Sequence, residues 1–292
     1  MTGATSFGDR LAGAFRTSGR LCVGIDPHEE LLDHWGLDVS AVGAREFGLR
    51  VVEAAAGVCG IVKPQVAFYE RFGAAGYSAL ERVLAEARDA GLLIIGDVKR
   101  GDIGSSVAAY GAAWLTPGAP LEVDSITLSP YLGLGSLEGV LGVAEASGKG
   151  VFVLAATSNP EASALQRSVL QQSSQAGATV AGAMTAGIAA WNASQPDAAT
   201  REYGAMGVVI GATVNLREQG IDSNTEPAGP TMPVLAPGFG FQGAQPKDRK
   251  SIFGAYARGV IVSESRSVLG AGRDGVADEI KRRVDELGSA DD

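Results

Sequence analysis

Two cysteines in 292 residues, Cys22 and Cys59, are too few for a disulfide scaffold. Both sit in apolar surroundings, so they read as small buried hydrophobes, and a reducing cytoplasm is the expected compartment. The two histidines, His28 and His34, have no ligating partners at a metal-site spacing; no metal centre is expected, and neither is assigned any chemistry. Basic excess is also missing: 24 Lys and Arg stand against 33 Asp and Glu, a net charge of -9. That balance argues against a nucleic-acid partner but leaves room for a small anion held by a local cluster of cations. No apolar run approaches the length a membrane helix needs, so no membrane partner is expected. The stretch up to Arg20 mixes Asp9 and Arg10 with Gly and Ser and has no apolar export-signal core. No linker-like segment divides the chain.

What is present is an alternation. Eight short apolar runs, at 21–25, 60–62, 91–95, 124–128, 150–155, 207–210, 233–236 and 259–262, read as buried strands. Helical patterns separate most of them: Phe7, Leu11 and Phe15; Phe47 and Val51 within 42–56; Tyr77, Leu80, Leu84 and Ala87; Val107, Tyr110 and Trp114. A further helix carries Leu137, Val140, Leu141 and Ala144, with Ser136 as its expected cap, and the last shows Val276, Ile280, Val284 and Leu287 before a frayed tail, 288–292. Apolar strands alternating with helices predict a parallel sheet, and eight of them predict a single (β/α)8 TIM barrel spanning 1–292. Residues 161–202, rich in Ala, Gln and Ser, read as an insertion, with a helix pair in its middle around 180–191. Asn192-Ala193-Ser194 matches a glycosylation sequon, which in a cytoplasmic protein is chance.

The run Ile94-Ile95-Gly96-Asp97-Val98-Lys99-Arg100-Gly101-Asp102-Ile103 places three charges at a strand exit. Asp97 and Lys99 are two apart, so both side chains point to one side. A lysine flanked by carboxylates keeps its cationic form, which suits proton donation and disfavours Schiff-base chemistry. The plainer alternative is a surface salt-bridge cluster. Barrel topology weighs against it, because residues that follow strands gather at one mouth. Asp26, Lys63, Asp97, Lys99, Ser158, Gln242 and Arg266 all follow strand candidates.

Pro237-Gly238-Phe239-Gly240-Phe241-Gln242-Gly243 formally matches G-x-G-x-x-G, with Glu264 near the place of a ribose-binding acid. A dinucleotide fold would need a βαβαβ half after it, and only one more strand fits. The segment reads instead as a flexible glycine-rich loop that lets backbone N–H groups approach a phosphate. Arg266, after the eighth strand, supplies a bidentate cation where barrels often bind phosphate.

Asp97-x-Lys99-x-x-Asp102-Ile103 resembles the signature of orotidine 5'-phosphate decarboxylases, most closely their longer bacterial form. Asp26-Pro27, Val62-Lys63-Pro64-Gln65, Ser129-Pro130-Tyr131-Leu132-Gly133, Thr157-Ser158-Asn159-Pro160, 237–243 and Arg266 extend the resemblance in barrel order. The resemblance implies conversion of orotidine 5'-monophosphate to uridine 5'-monophosphate and CO2 without metal or organic cofactor. It implies a Lys63-Asp97-Lys99-Asp102 array in which Lys99 protonates C6 and Asp97 faces the departing carboxylate. Asp26 would contact the ribose hydroxyls, Ser158 and Gln242 the pyrimidine edge, and Arg266 the phosphate, with Pro237 in the same substrate-binding segment. Ser106 stands where the family often has Thr, keeping a hydroxyl. The family's matching Asp enters the other subunit's site, which implies a homodimer with Asp102 crossing the interface. Two alternatives stay open: a magnesium-dependent sugar-phosphate decarboxylase or aldolase of the same superfamily, and a barrel that binds nucleotide without catalysis.

Overall fold

Eight parallel strands close into one barrel in chain order: β1 (Leu21–Ile25), β2 (Ile61–Pro64), β3 (Leu93–Arg100), β4 (Ser125–Leu128), β5 (Gly150–Ala156), β6 (Met206–Ile210), β7 (Val234–Pro237) and β8 (Val260–Glu264). This computed structural model describes residues 5–172 and 175–291. Residues 1–4, 173–174 and 292, which belong to the N-terminal stretch, the 161–202 connection and the tail, lie outside the described residues. The strands form because their Val, Ile and Leu side chains are buried on both faces, by the barrel interior and by the surrounding helices. β1 pairs with β8 through Cys22↔Ser263 and Val23↔Glu264, which closes the ring.

The N-terminal end of the barrel is sealed by charge and by ring packing. The helix Phe7–Ser18 starts at Ser6, whose hydroxyl accepts the Asp9 N–H at 3.1 Å. It lays Phe7 edge-on against Phe152, ring centroids 5.8 Å apart. One turn on, the Arg10 guanidinium pairs with Asp124 and donates to the Gly148 carbonyl at 2.9 Å. Asp124 also accepts the Ile94 N–H at 2.8 Å, and Lys149 lies 2.7 Å from Glu122 and 3.6 Å from Asp124. These groups tie helix and strands together at the end away from the site, where barrel residues serve stability.

Four local expectations change. β3 does not stop at Ile95 but runs to Arg100, with a register shift against β4 between Gly96 and Arg100. Ser136 is not a cap: its hydroxyl donates to the Gly133 carbonyl inside a 3-10 turn, Leu134–Leu137, and the helix Glu138–Ala146 starts after it. In place of a helix pair, the 161–202 connection carries one long helix, Val180–Ala193, capped by Thr179 and packed on β5 and β6. That helix occupies the place of the barrel's own β5–β6 helix, so only the stretch before it exceeds a plain β/α unit. The last helix, Gly272–Asp291, continues through most of the expected tail. Asn192 of the sequon is buried and exchanges hydrogen bonds with the Met206 backbone (2.7 and 3.1 Å), a structural role in joining helix to β6.

Candidate active site

Asp97 is the centre of the barrel mouth. It sits in β3 just past Gly96, buried to 7% exposure, and each of its two oxygens receives two donors. Oδ2 takes Lys63 Nζ at 3.2 Å and Gln65 Nε2 at 2.8 Å; Oδ1 takes Lys99 Nζ at 2.6 Å and Thr127 Oγ1 at 2.8 Å. Burial by itself would push this carboxyl up. The Lys63 and Lys99 ammonium charges, with the Lys99 and Thr127 hydrogen bonds, overcome that and hold it well below the usual carboxylate range. Burial would likewise lower the Lys63 ammonium, yet Asp97 and Asp26 keep it above its ordinary value.

The two lysines differ in access. Lys63, in β2, has a side chain only 10% exposed, whereas that of Lys99 is 46% exposed. Lys99 is also the one non-glycine residue with positive φ, 46°, among the described residues. An L-residue there costs about 1–2 kcal/mol, so its surroundings must hold it. They do: the Lys99 N–H donates to Thr127 Oγ1 at 3.0 Å, Ser129 N–H to the Arg100 carbonyl at 2.7 Å, and Arg100 Nη1 to the Val98 carbonyl at 2.9 Å. Arg100 is itself paired with Glu70. The β3 register shift thus turns the lysine over the carboxylate instead of leaving the pair side by side on a regular strand.

Asp26 follows β1; its Oδ1 is buried without a partner among the described residues, an acceptor open to a hydrogen-bond donor at the mouth. Past β7, which Pro237 ends, the glycine loop makes a 3-10 turn, Gly240–Gln242, with Gln242 exposed. Phe241, 64% exposed, lies under the Arg266 guanidinium, 4.0 Å from ring centroid to Cζ, so the loops after β7 and β8 already touch. Arg266 is exposed at the start of the turn Arg266–Leu269, and Ser158 is exposed past β5.

The structure therefore brings Lys63, Asp97 and Lys99 into contact, with Asp26 facing Lys63, and sets Gln242 and Arg266 on adjoining loops. It does not bring in Asp102 or Ser106. The Asp102 carboxylate accepts its neighbour's Ile103 N–H at 2.8 Å and meets no cation among the described residues, and Ser106 is exposed on the helix Gly104–Leu115. Two members of the centre had no role assigned from sequence, Gln65 and Thr127. Gln65 lies two residues past Lys63, the spacing that puts strand-end side chains on one face. No group of three or more His, Cys, Asp or Glu side chains that could hold a metal forms among the described residues.

Residues 19–279 match the model of a family described as orotidine 5'-phosphate decarboxylase / HUMPS. An orotidine 5'-phosphate decarboxylase of Corynebacterium efficiens is 47% identical over 272 residues, covering 92% of this chain and 91% of its own. One from a Nocardioides species is 45% identical over 284 residues, 97% of this chain and 99% of its own. Among solved structures, one from Streptomyces avermitilis assigned to the same enzyme superposes with a TM-score of 0.87 at 42% identity, covering 99% and 97% of the two chains. The Leishmania donovani OMP decarboxylase superposes at 0.72 and 28% identity, covering 98% of each.

Proposed function

This chain belongs to the orotidine 5'-phosphate decarboxylase family, and from that premise we propose how its residues act. It is a lyase that converts orotidine 5'-monophosphate to uridine 5'-monophosphate and CO2 in pyrimidine biosynthesis. The C6–carboxylate bond breaks, its electron pair stays on C6, and the Lys99 ammonium delivers a proton there, leaving a neutral amine. The observation that carries this assignment is the asymmetry around Asp97. Two ammonium groups bracket one buried carboxylate, and only Lys99 is open enough to meet a substrate.

The remaining roles follow from position. Asp97, fully hydrogen-bonded and ionised, has no flexibility to move away from the substrate carboxylate it faces. Its four donors also leave no lone pair for a cation, which speaks against a magnesium-dependent reaction at this carboxylate. Asp26 offers its open oxygen to the ribose hydroxyls, and Ser158 and Gln242 meet the pyrimidine edge. Arg266 holds the phosphate while the Pro237–Gly243 loop closes over it. Ser106 lends a hydroxyl at the helix start. We assign the protein to the cytoplasm, and to a homodimer in which Asp102 enters the partner's site. Exposed Ile103, Tyr131 and Leu132 near Asp102 (61%, 77% and 55%) supply apolar surface for that contact.

The test is loss of orotidine 5'-monophosphate absorbance on adding the pure protein in EDTA. Wild type turns over, and Lys99→Ala loses several orders of magnitude while keeping its fold. Activity abolished by EDTA, or Lys99→Ala retaining more than a tenth of wild-type kcat, overturns the reading.

A further inference from the structure

Glu264 ends β8 with its side chain turned out of the barrel and fully buried. Its Oε2 accepts the Ser267 hydroxyl at 2.6 Å and faces Arg283 Nε at 3.5 Å. Arg283 is shared with Glu279 at 3.0 Å and Glu286 at 3.5 Å, so it compensates Glu264 only in part. Oε1 is buried with no partner among the described residues. A carboxylate oxygen left so is costly and calls for an explanation. Burial accordingly pushes the Glu264 carboxyl up.

The explanation lies in what rests on it. Gly240, at φ 66°, comes so close that a Cβ there would stand 2.7 Å from Glu264 Oε2 and 2.8 Å from Ser267 Oγ. The next loop residue, Phe241, stacks under Arg266, which lies between Glu264 and Ser267 in distance along the chain. The carboxylate is thus a seat on which the loop after β7 and the turn after β8 meet, beneath both groups that would grip a phosphate.

We propose that Glu264 is a positioning residue for the phosphate end of the substrate: it seats Gly240 and Ser267 together, so that the glycine loop and Arg266 close as one unit. This rests on the assignment of Arg266 and the loop to the phosphate.

The experiment is binding of uridine 5'-monophosphate against uridine by titration calorimetry, for wild type and for Arg266→Ala, Glu264→Gln, Glu264→Ala, Gly240→Ala and Gly240→Ala with Glu264→Ala. Arg266→Ala tests the underlying assignment and should weaken the nucleotide about a hundredfold and the nucleoside less than twofold. Both Glu264 variants should weaken the nucleotide at least tenfold and the nucleoside less than twofold; Glu264→Gln, which keeps the volume, decides if Glu264→Ala fails to fold. Gly240→Ala should cost at least threefold less in the Glu264→Ala background than alone, because the Glu264 oxygen it strikes is gone, while its contact with Ser267 and its positive φ remain in both backgrounds. If Arg266→Ala is selective but the Glu264 variants bind nucleotide within twofold of wild type, or lose both ligands equally, the inference is overturned and the phosphate assignment stands. Strictly multiplicative losses at 240 and 264 overturn it as well. Equal losses of both ligands in Arg266→Ala overturn the assignment and the inference together.

Discussion

Replacing Thr127 by valine tests the geometry of the centre without touching a charged group. The hydroxyl does two things: it donates to Asp97 Oδ1 at 2.8 Å and accepts the Lys99 N–H at 3.0 Å. Valine keeps the shape and the burial. Asp97 Oδ1 still has Lys99 Nζ at 2.6 Å, so the carboxylate is not orphaned, but the Lys99 N–H loses its partner. A hydrogen bond to a charged group contributes roughly 1.5–3 kcal/mol, against roughly 1 regained from the added methyl, and the Lys99 N–H, on an exposed residue, can turn to water. Stability should fall by about 0.5–2 kcal/mol, read from urea unfolding. The catalytic effect comes through Lys99, whose φ of 46° is held by that same N–H bond. Without it, a strain of about 1–2 kcal/mol can relax and swing the ammonium off its position. If roughly 1.5–3 kcal/mol of restraint is lost, kcat should fall about ten- to a hundredfold, measured by orotidine 5'-monophosphate absorbance. Thr127→Ser, which keeps the hydroxyl, should return kcat to within about threefold of wild type. A Thr127→Val enzyme within twofold of wild type, or a Thr127→Ser enzyme as slow as the valine variant, would refute the argument.

Three further outcomes are expected. The stability difference between wild type and the double variant Lys63→Met, Asp97→Asn, which leaves neither buried charge without the other, should be flat from pH 5 to 9. The depressed Asp97 pKa gives a contribution present above the usual carboxylate value, 3.8, and lost only as pH falls through the lower folded value; the raised Lys63 pKa gives one present below 10.5 and lost only above it. A change in that difference between pH 6 and 8 would contradict the assigned charge states. Neither cysteine should react with a thiol reagent at pH 8 until the protein unfolds, because burial pushes Cys59 up to about 11 and Cys22 higher still; labelling of the native protein within minutes would show otherwise. Mixing inactive Lys99→Ala and Asp102→Ala proteins under subunit exchange should restore activity, since about half the dimers then hold one intact composite site, and confirmed exchange without recovery would place Asp102 outside the partner's site.

The barrel was legible because its strands are apolar runs bounded by glycines and charges, a pattern that burial on both faces requires. Lys63 and Asp97 were legible for a related reason: a charge ending such a run has the mouth as its outlet. Thr127 was not, since a threonine inside Ser125–Leu128 reads as ordinary strand composition until its neighbour across the ladder is known. Nor was the left-handed turn at Lys99, which sequence signals only through Gly or Asn; here long-range bonds from the Lys99 N–H to Thr127 and from the Ser129 N–H to the Arg100 carbonyl impose it. The expected helix pair failed because Ala and Gly between 180 and 193 blur the apolar stripe that would show one continuous helix. Asp102 shows the limit of one chain: its motif was evident, yet within this chain its carboxylate caps only its own turn.

The charge balance of the mouth links these readings to the reaction. Within one chain two ammonium groups face Asp97, and Lys63 is opposed by Asp26 as well, so the ammonium at the more open end, on Lys99, leans on Asp97 alone among the described carboxylates. On the proposed assignment the substrate carboxylate arrives beside Asp97, where like charges oppose each other in a poorly solvated site. As the bond to C6 breaks, the negative charge leaves that neighbourhood as neutral CO2 and appears on C6 instead, next to the ammonium. The array therefore favours the charge distribution after bond breaking over the one before it, which is the differential binding that lowers a barrier. The effect requires that neither Asp97 nor Lys99 can reorient. Asp97 is fixed by four donors, and Lys99 by a backbone conformation it would not adopt alone. The hydroxyl of Thr127 serves both, and for that reason the rigidity of the site and its chemistry should fail together when it is removed.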